Sequence, residues 1–354
     1  MQAPDIIAPD DPVLITGAAG FIGPHVVRLL LRRGLRHLRC FVRPSAETAR
    51  LDDLIRQHRD AAQIELFVGD LQSPADCRAA AQNIAVVYHL AAARGEKSYA
   101  EAFRNSVVTT RNLLEALLHH GTVRRVVNVS SLSVYANTTR LPGSVLDETC
   151  PVEPHPELRG DAYTFAKVRQ DQLLRGYGAR YGLPYVLLRP GFVYGVGNEA
   201  IPGRVGLSLM GLFLHLGGSN PLPLTYVDNC ADAIALAGLC TGVDNEIFNV
   251  VDDDLPTSHA FLKVYQRNVK RLPVVRIPPR LGYVFCFLWE WYSRRSHEQI
   301  PPVFNRRMWH VYWKYTRYTN ARLKQRTGWA PHVSTSAGLM RYFASCRMLA
   351  QQGR

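Results

Sequence analysis

Tyr163 and Lys167 stand four residues apart in "DAYTFAKVRQD", a stretch with helical spacing. Four residues make about one helical turn, so both side chains lie on one face. A phenol has an ordinary pKa of about 10, and bringing it to neutrality takes about 3 pKa units, or about 4 kcal/mol in favour of the phenolate. An ammonium about 4 Å away in a partly solvated site supplies roughly that much. The plainer reading is a lysine stem laid over an aromatic ring on a helix surface. The pair alone does not separate the two.

A second group with chemical potential is "LITGAAGFIGPHVV", which sets Gly17, Gly20 and Gly23 between a β-rich run and an amphipathic run. Glycines so placed make a tight turn that lets backbone N–H groups at a helix N-terminus approach a pyrophosphate. The strand before and the helix after are what give the pattern its weight. Pro24 sits in the first helical turn, where its missing N–H costs little. The alternative is three glycines that serve chain packing only.

These residues need a scaffold, and the first half of the chain alternates strand-like and helix-like runs. Strands are expected near 13–16, 38–43, 64–68, 85–90 and 125–130, with helices between, one of them in "AFRNSVVTTRNLLEALLHHG". That alternation predicts βαβ units and a doubly wound parallel sheet, an α/β Rossmann fold. Residues 137–161 read as loop, followed by the Tyr163 helix and a strand in "YVLLRPGFVYG". "YVDNCADAIALAGLC" reads as a helix returning to the sheet and "EIFNVV" as a short strand. We expect a disordered lead-in at 1–11, a nucleotide-binding domain at 12–194 rejoined by 226–250, and a smaller C-terminal substrate domain at 195–225 and 251–354.

The chain has 354 residues, 47% of them apolar, enough to bury a full core. Its seven cysteines are scattered, odd in number and form no CxxC pair. That argues against a disulfide framework or a zinc site, so no metal is expected, and for a reducing, cytoplasmic setting. "MQAPDIIAPDDP" lacks the basic-then-apolar order of a signal peptide. The formal charge of +13 is uneven: residues 263–354 hold 18 Lys and Arg against two acidic residues, and residues 1–262 hold 24 against 27. The excess suits a surface meeting an anion or an acidic membrane. No nucleic-acid recognition motif accompanies it, so nucleic acid is not an expected partner.

The motifs "TGAAGFIG", "GDL", "HLAA", "VSSLSVY", "YTFAK", "LLRPGFVYG", "YVDNCADAI" and "NARLKQRTGWAPHVSTSAGLMRYF" follow one another in the chain. Their order resembles the extended short-chain dehydrogenase/reductases, the NAD(P)-dependent epimerase/dehydratase family. That family includes nucleotide-sugar epimerases and dehydratases and the 3β-hydroxysteroid dehydrogenases. The resemblance implies NAD(P) on a loop containing Gly17, Gly20, Phe21, Ile22 and Gly23. It implies Asp70 as acceptor for the adenine amide with Leu71 beside the ring, and Leu90, Ala91 and Ala92 as small residues the cofactor requires. Pro190 and Val193 would line the nicotinamide, with Arg189 in a structural role. Arg43 stands where NAD-preferring relatives carry an acidic residue, and a cation there suits a 2′-phosphate. The expectation is NADP, with NAD the alternative.

By the same resemblance, Ser131 is the catalytic hydroxyl that Tyr163 needs. The trio then reads as Tyr163 for acid/base work, Lys167 to tune it and hold the ribose, and Ser131 to bind the substrate oxygen. Two departures matter. Ser106 stands where the family has Asn, with Asn105 one place early, and neither is assigned a catalytic role. Leu132 and Ser133 follow Ser131 where sugar 4,6-dehydratases carry an Asp-Glu pair, which disfavours dehydration.

At the substrate end, residues 205–262 contain no Lys or Arg, and "GLSLMGLFLHLGG" would line the site with apolar surface. An apolar or lipid-linked small molecule is therefore expected over a soluble nucleotide diphosphate, unless Arg276 or Arg280 reaches back to a pyrophosphate. The segment 278–295 is apolar on nearly every face and too short to span a bilayer. It fits a peripheral contact with an anionic membrane, a homodimer contact or the chain's own core. The expected function is oxidoreduction between a secondary alcohol and a ketone, in the manner of a 3β-hydroxysteroid dehydrogenase. A sugar 4-epimerase on a nucleotide-linked or polyprenyl-diphosphate-linked substrate is the second reading, and a non-catalytic cofactor-binding regulator the third.

Overall fold

In the computed structural model, β1 (Val13–Thr16), β2 (His37–Val42), β3 (Gln63–Val68), β4 (Val86–His89) and β5 (Arg125–Val129) alternate with α1 (Gly23–Arg32), α2 (Ala49–His58), α3 (Pro74–Ala81), α4 (Tyr99–Ala102) and α5 (Thr109–His120). The structure describes residues 5–92, 95, 98–209, 211–296, 299 and 304–352. After the short β6 (Val145–Leu146) come α6 (Ala162–Tyr181), β7 (Tyr185–Pro190), β8 (Phe192–Tyr194), β9 (Gly206–Leu209), β10 (Leu212–His215), β11 (Leu224–Tyr226), α7 (Val227–Leu239) and β12 (Glu246–Val250). The chain ends in α8 (Ser258–Asn268), β13 (Val274–Arg276), α9 (Pro279–Arg295), α10 (Arg306–Tyr312), β14 (Arg317–Tyr318), α11 (Ala321–Thr327) and α12 (Thr335–Gln352).

Among the described residues, seven strands form one sheet in the order β12-β7-β5-β4-β1-β2-β3. Every pairing in it is parallel. Strand alternation sends Val13, Ile15, Val86, Tyr88, Val127 and Val129 into one core cluster, shared with α1, α2 and α7. It sends Leu14, Val87 and Val126 into another, shared with α3, α5 and α6. Helices therefore cover both faces, the arrangement a parallel sheet requires. Strand order reverses between β1 and β4, and in such folds ligands bind beyond the carboxyl ends of the strands at that switch point.

Several local expectations are corrected. Residues 5–11 are docked, not disordered: Ile7 is buried in the first core, Ile6 N donates to Leu239 O at 2.9 Å, and Arg36 N donates to Pro9 O at 2.8 Å. The apolar Ile6 and Ile7 supply the reason. Residues 1–4 lie outside the described residues. The helix through "AFRNSVV" is π-helical at Phe103–Val108, between α4 and α5. This turn carries Asn105 and Ser106. The strand "YVLLRPGFVYG" breaks at Gly191, where an added Cβ would lie 2.0 Å from Pro223 O, and β8 leaves the main sheet to pair with β11.

The rest of the chain builds a further core in which Tyr194, Phe213, Phe261, Tyr265, Tyr342 and Phe343 pack together. β9 and β10 form a hairpin, extended by β13 into a three-stranded sheet.

Candidate active site

β5 delivers Ser130 and Ser131 at its carboxyl end. Ser131 opens a single 3-10 turn, Leu132–Val134, and its Oγ accepts from Ser133 N at 3.1 Å. α6 begins just after Gly160, whose φ of +69° ends the preceding turn. Asp161 caps it, accepting through Oδ1 from Tyr163 N at 3.1 Å and through Oδ2 from Thr164 Oγ1 at 2.5 Å. This cap holds Tyr163 in the first turn of the helix.

Lys167 follows one turn later and is 4% exposed. Its Nζ donates to Val129 O at 2.5 Å and to Gln170 Oε1 at 3.1 Å. Burial pushes its pKa down to about 8, against the pull of the nearby Asp171 carboxylate. Asp171 itself pairs with the buried Arg189, whose Nη2 lies 3.0 Å away and whose guanidinium covers the Tyr135 ring at 4.6 Å. Arg189 thus ties α6 to β7 and Tyr135.

The glycine loop depends on missing side chains. Gly17 has a φ of +69°, and a Cβ there would lie 2.8 Å from Ala91 N; a Cβ at Gly23 would lie 2.1 Å from Ala18 O. Only glycine permits this fold-back against the start of α1, whose first N–H groups lack intrahelical partners. The cradle fits a dinucleotide pyrophosphate.

A cavity of about 510 Å³ joins the two groups. Gly17, Gly20, Phe21, Ile22 and Gly23 line it together with Ser131, Tyr163 and Lys167, and so do Leu90, Ala92, Pro190 and Val193. Four residues of the same expectation lie outside its lining. Ala91 packs behind Gly17. Arg43 is exposed just past β2. Asp70 is exposed after β3, with Oδ1 accepting from Gln72 N at 2.8 Å. Leu71 is buried with Phe41 and Cys77 in the core below rather than presented to the surface.

The substrate side departs from the sequence reading. The hairpin "GLSLMGLFLHLGG" contributes no described residue to the cavity, and neither Arg276 nor Arg280 lines it. Phe192, Asn198, Pro202, Gly203, Arg204 and Tyr312 do. Arg204, one residue before the cation-free stretch, donates to Val311 O and to Tyr318 Oη, the latter at 3.0 Å. Its guanidinium faces the rings of Tyr312 and Tyr318 at 5.2 and 5.6 Å.

Behind Lys167 lies a buried polar chain that residue spacing does not reveal. Gln170 Nε2 donates to Thr110 Oγ1 at 2.7 Å, Thr110 Oγ1 meets His89 Nε2 at 2.8 Å, and His89 Nδ1 meets Thr16 Oγ1 at 2.7 Å. Burial, helped by the charge of Lys167, pushes the His89 pKa down to about 3, so the ring is neutral.

The profile of the NAD dependent epimerase/dehydratase family matches residues 13–250. A trifunctional UDP-glucose 4,6-dehydratase/UDP-4-keto-6-deoxy-D-glucose 3,5-epimerase/UDP-4-keto-L-rhamnose-reductase of Arabidopsis thaliana is 28% identical over 67% of this chain, which spans only 36% of that protein. A 3beta-hydroxysteroid-dehydrogenase/decarboxylase of Arabidopsis thaliana is 24% identical over 96% of this chain and 81% of its own. The structure of a UDP-glucuronic acid 4-epimerase from Bacillus cereus in complex with NAD superposes with a TM-score of 0.70 at 21% identity, covering 96% of this chain and 99% of that one. At that identity the likeness concerns the fold. The chain belongs to the NAD dependent epimerase/dehydratase family.

Proposed function

We propose that this protein interconverts a secondary alcohol and a ketone on an apolar or lipid-linked substrate, with Tyr163 as the acid/base. The observation that carries the reading is that, among the described residues, one cavity is lined both by the glycine loop and by Ser131, Tyr163 and Lys167. A nicotinamide dinucleotide on the glycine loop supplies the two-electron acceptor or donor. Tyr163 takes the alcohol proton in oxidation and returns it in reduction. Lys167, an ammonium below its pKa of about 8, favours the phenolate form of Tyr163 by its charge. Ser131 offers its hydroxyl to the substrate oxygen.

Leu132, Phe192, Pro202 and Tyr312 give the substrate end an apolar wall. Dehydration is disfavoured, because Leu132 and Ser133 follow Ser131 and no Asp or Glu is among the described lining residues. The exposed Arg43 after β2 supports NADP as the preferred cofactor.

One observation favours a second reading, a sugar 4-epimerase on a diphosphate-linked substrate: Arg204 places a cation in the cavity. A single experiment separates the two. Native mass spectrometry of the purified protein identifies any retained nicotinamide, after which NADP or NAD is added with detergent-dispersed sterols and polyprenyl-diphosphate sugars. The first reading expects ketone to form in step with reduced-nicotinamide absorbance, and Tyr163→Phe to slow both by about 10²–10⁴-fold. Sugar epimers interconverting without net cofactor reduction would establish the second. Undiminished turnover in Tyr163→Phe would remove both.

A further inference from the structure

α9 is turned inside out. Its buried residues are Gly282, Cys286 and Ser293, whereas Leu281 is 60% exposed and Leu288, Trp291 and Tyr292 are each 54% exposed. With Val284 these form a stripe at helical spacing, on the side where a surface helix normally carries charge. The small inward residues let the helix lie close against a cluster containing Leu216 and Trp313. They leave the large apolar side chains outside.

The three-stranded sheet continues this surface. Pairing of Leu209 with Leu212, of Leu207 with Leu214, and of Leu214 with Val275 sets these residues on one sheet face. Leu207 packs in the same cluster as Cys286 of α9, so this face adjoins the helix. Beyond Leu207, the side chains of Leu209, Leu212 and Val275 are more than two-fifths exposed. The outward stripe of α9 and the exposed end of this sheet face thus adjoin, and together they are more than a scatter of single exposed residues.

The charge on α9 is mainly basic: Arg280, Arg294 and Arg295 are all exposed, against one acidic residue, Glu290. Glu290 is already paired with Arg294 at 2.6 Å and Arg306 at 2.9 Å. At the helix end, the guanidinium of Arg295 sits 5.9 Å from the Trp291 ring. We propose that this composite face seats on an anionic lipid bilayer, with α9 lying in the plane of the interface. A second copy of the chain would bring the same basic rim against itself, whereas an anionic surface complements it. The 17 residues of α9 reach about 25 Å, short of a hydrocarbon core of about 30 Å, so the helix rests on the membrane and does not cross it. Tyr283 of α9 packs on Trp309 of α10 at 5.1 Å, and α10 carries Tyr312 into the cavity wall. The seated face is therefore one helix away from the site. This inference does not depend on the chemistry assigned to the cavity.

The test is co-sedimentation of the full chain with vesicles of phosphatidylcholine alone or mixed with phosphatidylglycerol, at low and high salt. Binding should favour the anionic vesicles at least about tenfold and weaken with salt. The double variant Leu288→Glu/Trp291→Glu should lose that binding while keeping its melting temperature and nicotinamide binding. Should that variant fail to fold, Arg280→Glu/Arg295→Glu serves in its place, with a loss of at least about tenfold. Equal binding to both vesicle types would overturn the proposal, as would unchanged binding in the folded variants. So would a solution dimer that the substitutions split, with no vesicle binding by the original protein.

Discussion

Lys167 Nζ donates to Gln170 Oε1 at 3.1 Å, and Gln170 Nε2 hands the contact on to Thr110 Oγ1 at 2.7 Å. The lysine is thus gripped from behind, inside the core, by a chain that ends on Thr16 of β1. Gln170 does not itself line the cavity and acts on the site through Lys167, as a positioning residue. Gln170→Leu removes one of the two acceptors described for a buried ammonium. We expect kcat to fall roughly tenfold, the range for a hydrogen bond to a charged group. The alkaline limb of the pH profile should also move to lower pH, because the ammonium is less stabilised. Gln170→Glu, which adds a carboxylate, should move that limb to higher pH. A loss of rate with an unmoved limb in both variants would reduce Gln170 to packing.

Tyr163→Phe removes one hydroxyl from the wall of the cavity and leaves the ring in place. The expected loss in kcat is about 10²–10⁴-fold, the usual worth of a positioned acid/base. Nicotinamide binding, read by fluorescence titration, should change little, because the glycine loop is untouched. Loss of cofactor binding alongside activity would point to a structural role for the phenol.

What the sequence makes legible follows from the range of each signal. The glycine loop and the Tyr163–Lys167 pair are local patterns, a turn and a helical repeat, and the structure brings them to one cavity. Gln170 sits in the same helix with no periodic signature, and its partners Thr110 and His89 come from other elements, so only the fold reveals it. Arg204 escaped for the same reason: it precedes the cation-free stretch by one residue, and the loop after β8 turns it onto Tyr312 and Tyr318. α9 is apolar on nearly every side, so periodicity cannot say which face is buried; the small residues Gly282, Cys286 and Ser293 decide it through close packing. The one-residue offset of Asn105 coincides with a π-helical turn, a feature no heptad or 3.6-residue count anticipates.

Arg43 lies exposed directly after β2, where the 2′ position of an adenine ribose is read in this fold class. Under the proposed NADP preference, Arg43→Asp should weaken NADPH by about tenfold or more and strengthen NADH. Paired titrations of the two reduced cofactors check it. An unchanged ratio would mean that Arg43 is solvated and takes no part in the choice.

Three histidines set the acid limit of stability. Burial holds His89 down at about 3 and His215 and His310 at about 4, with neighbouring cations adding to the effect. An unfolded histidine titrates near 6.5. Between those values the unfolded chain carries more protons than the folded one, so stability falls as pH drops below about 6.5. Asp252 opposes this, because burial raises its carboxyl to about 6 and the folded state then holds the extra proton below that pH. The balance still favours unfolding in acid, by a few kcal/mol at pH 5. The melting temperature should therefore fall steadily from pH 6.5 to 5. His215→Gln, which keeps a polar partner for Ser258 Oγ now 3.0 Å from the ring, should make that fall shallower. A melting temperature that stays level over this range would show that the three rings already carry their protons in the folded protein.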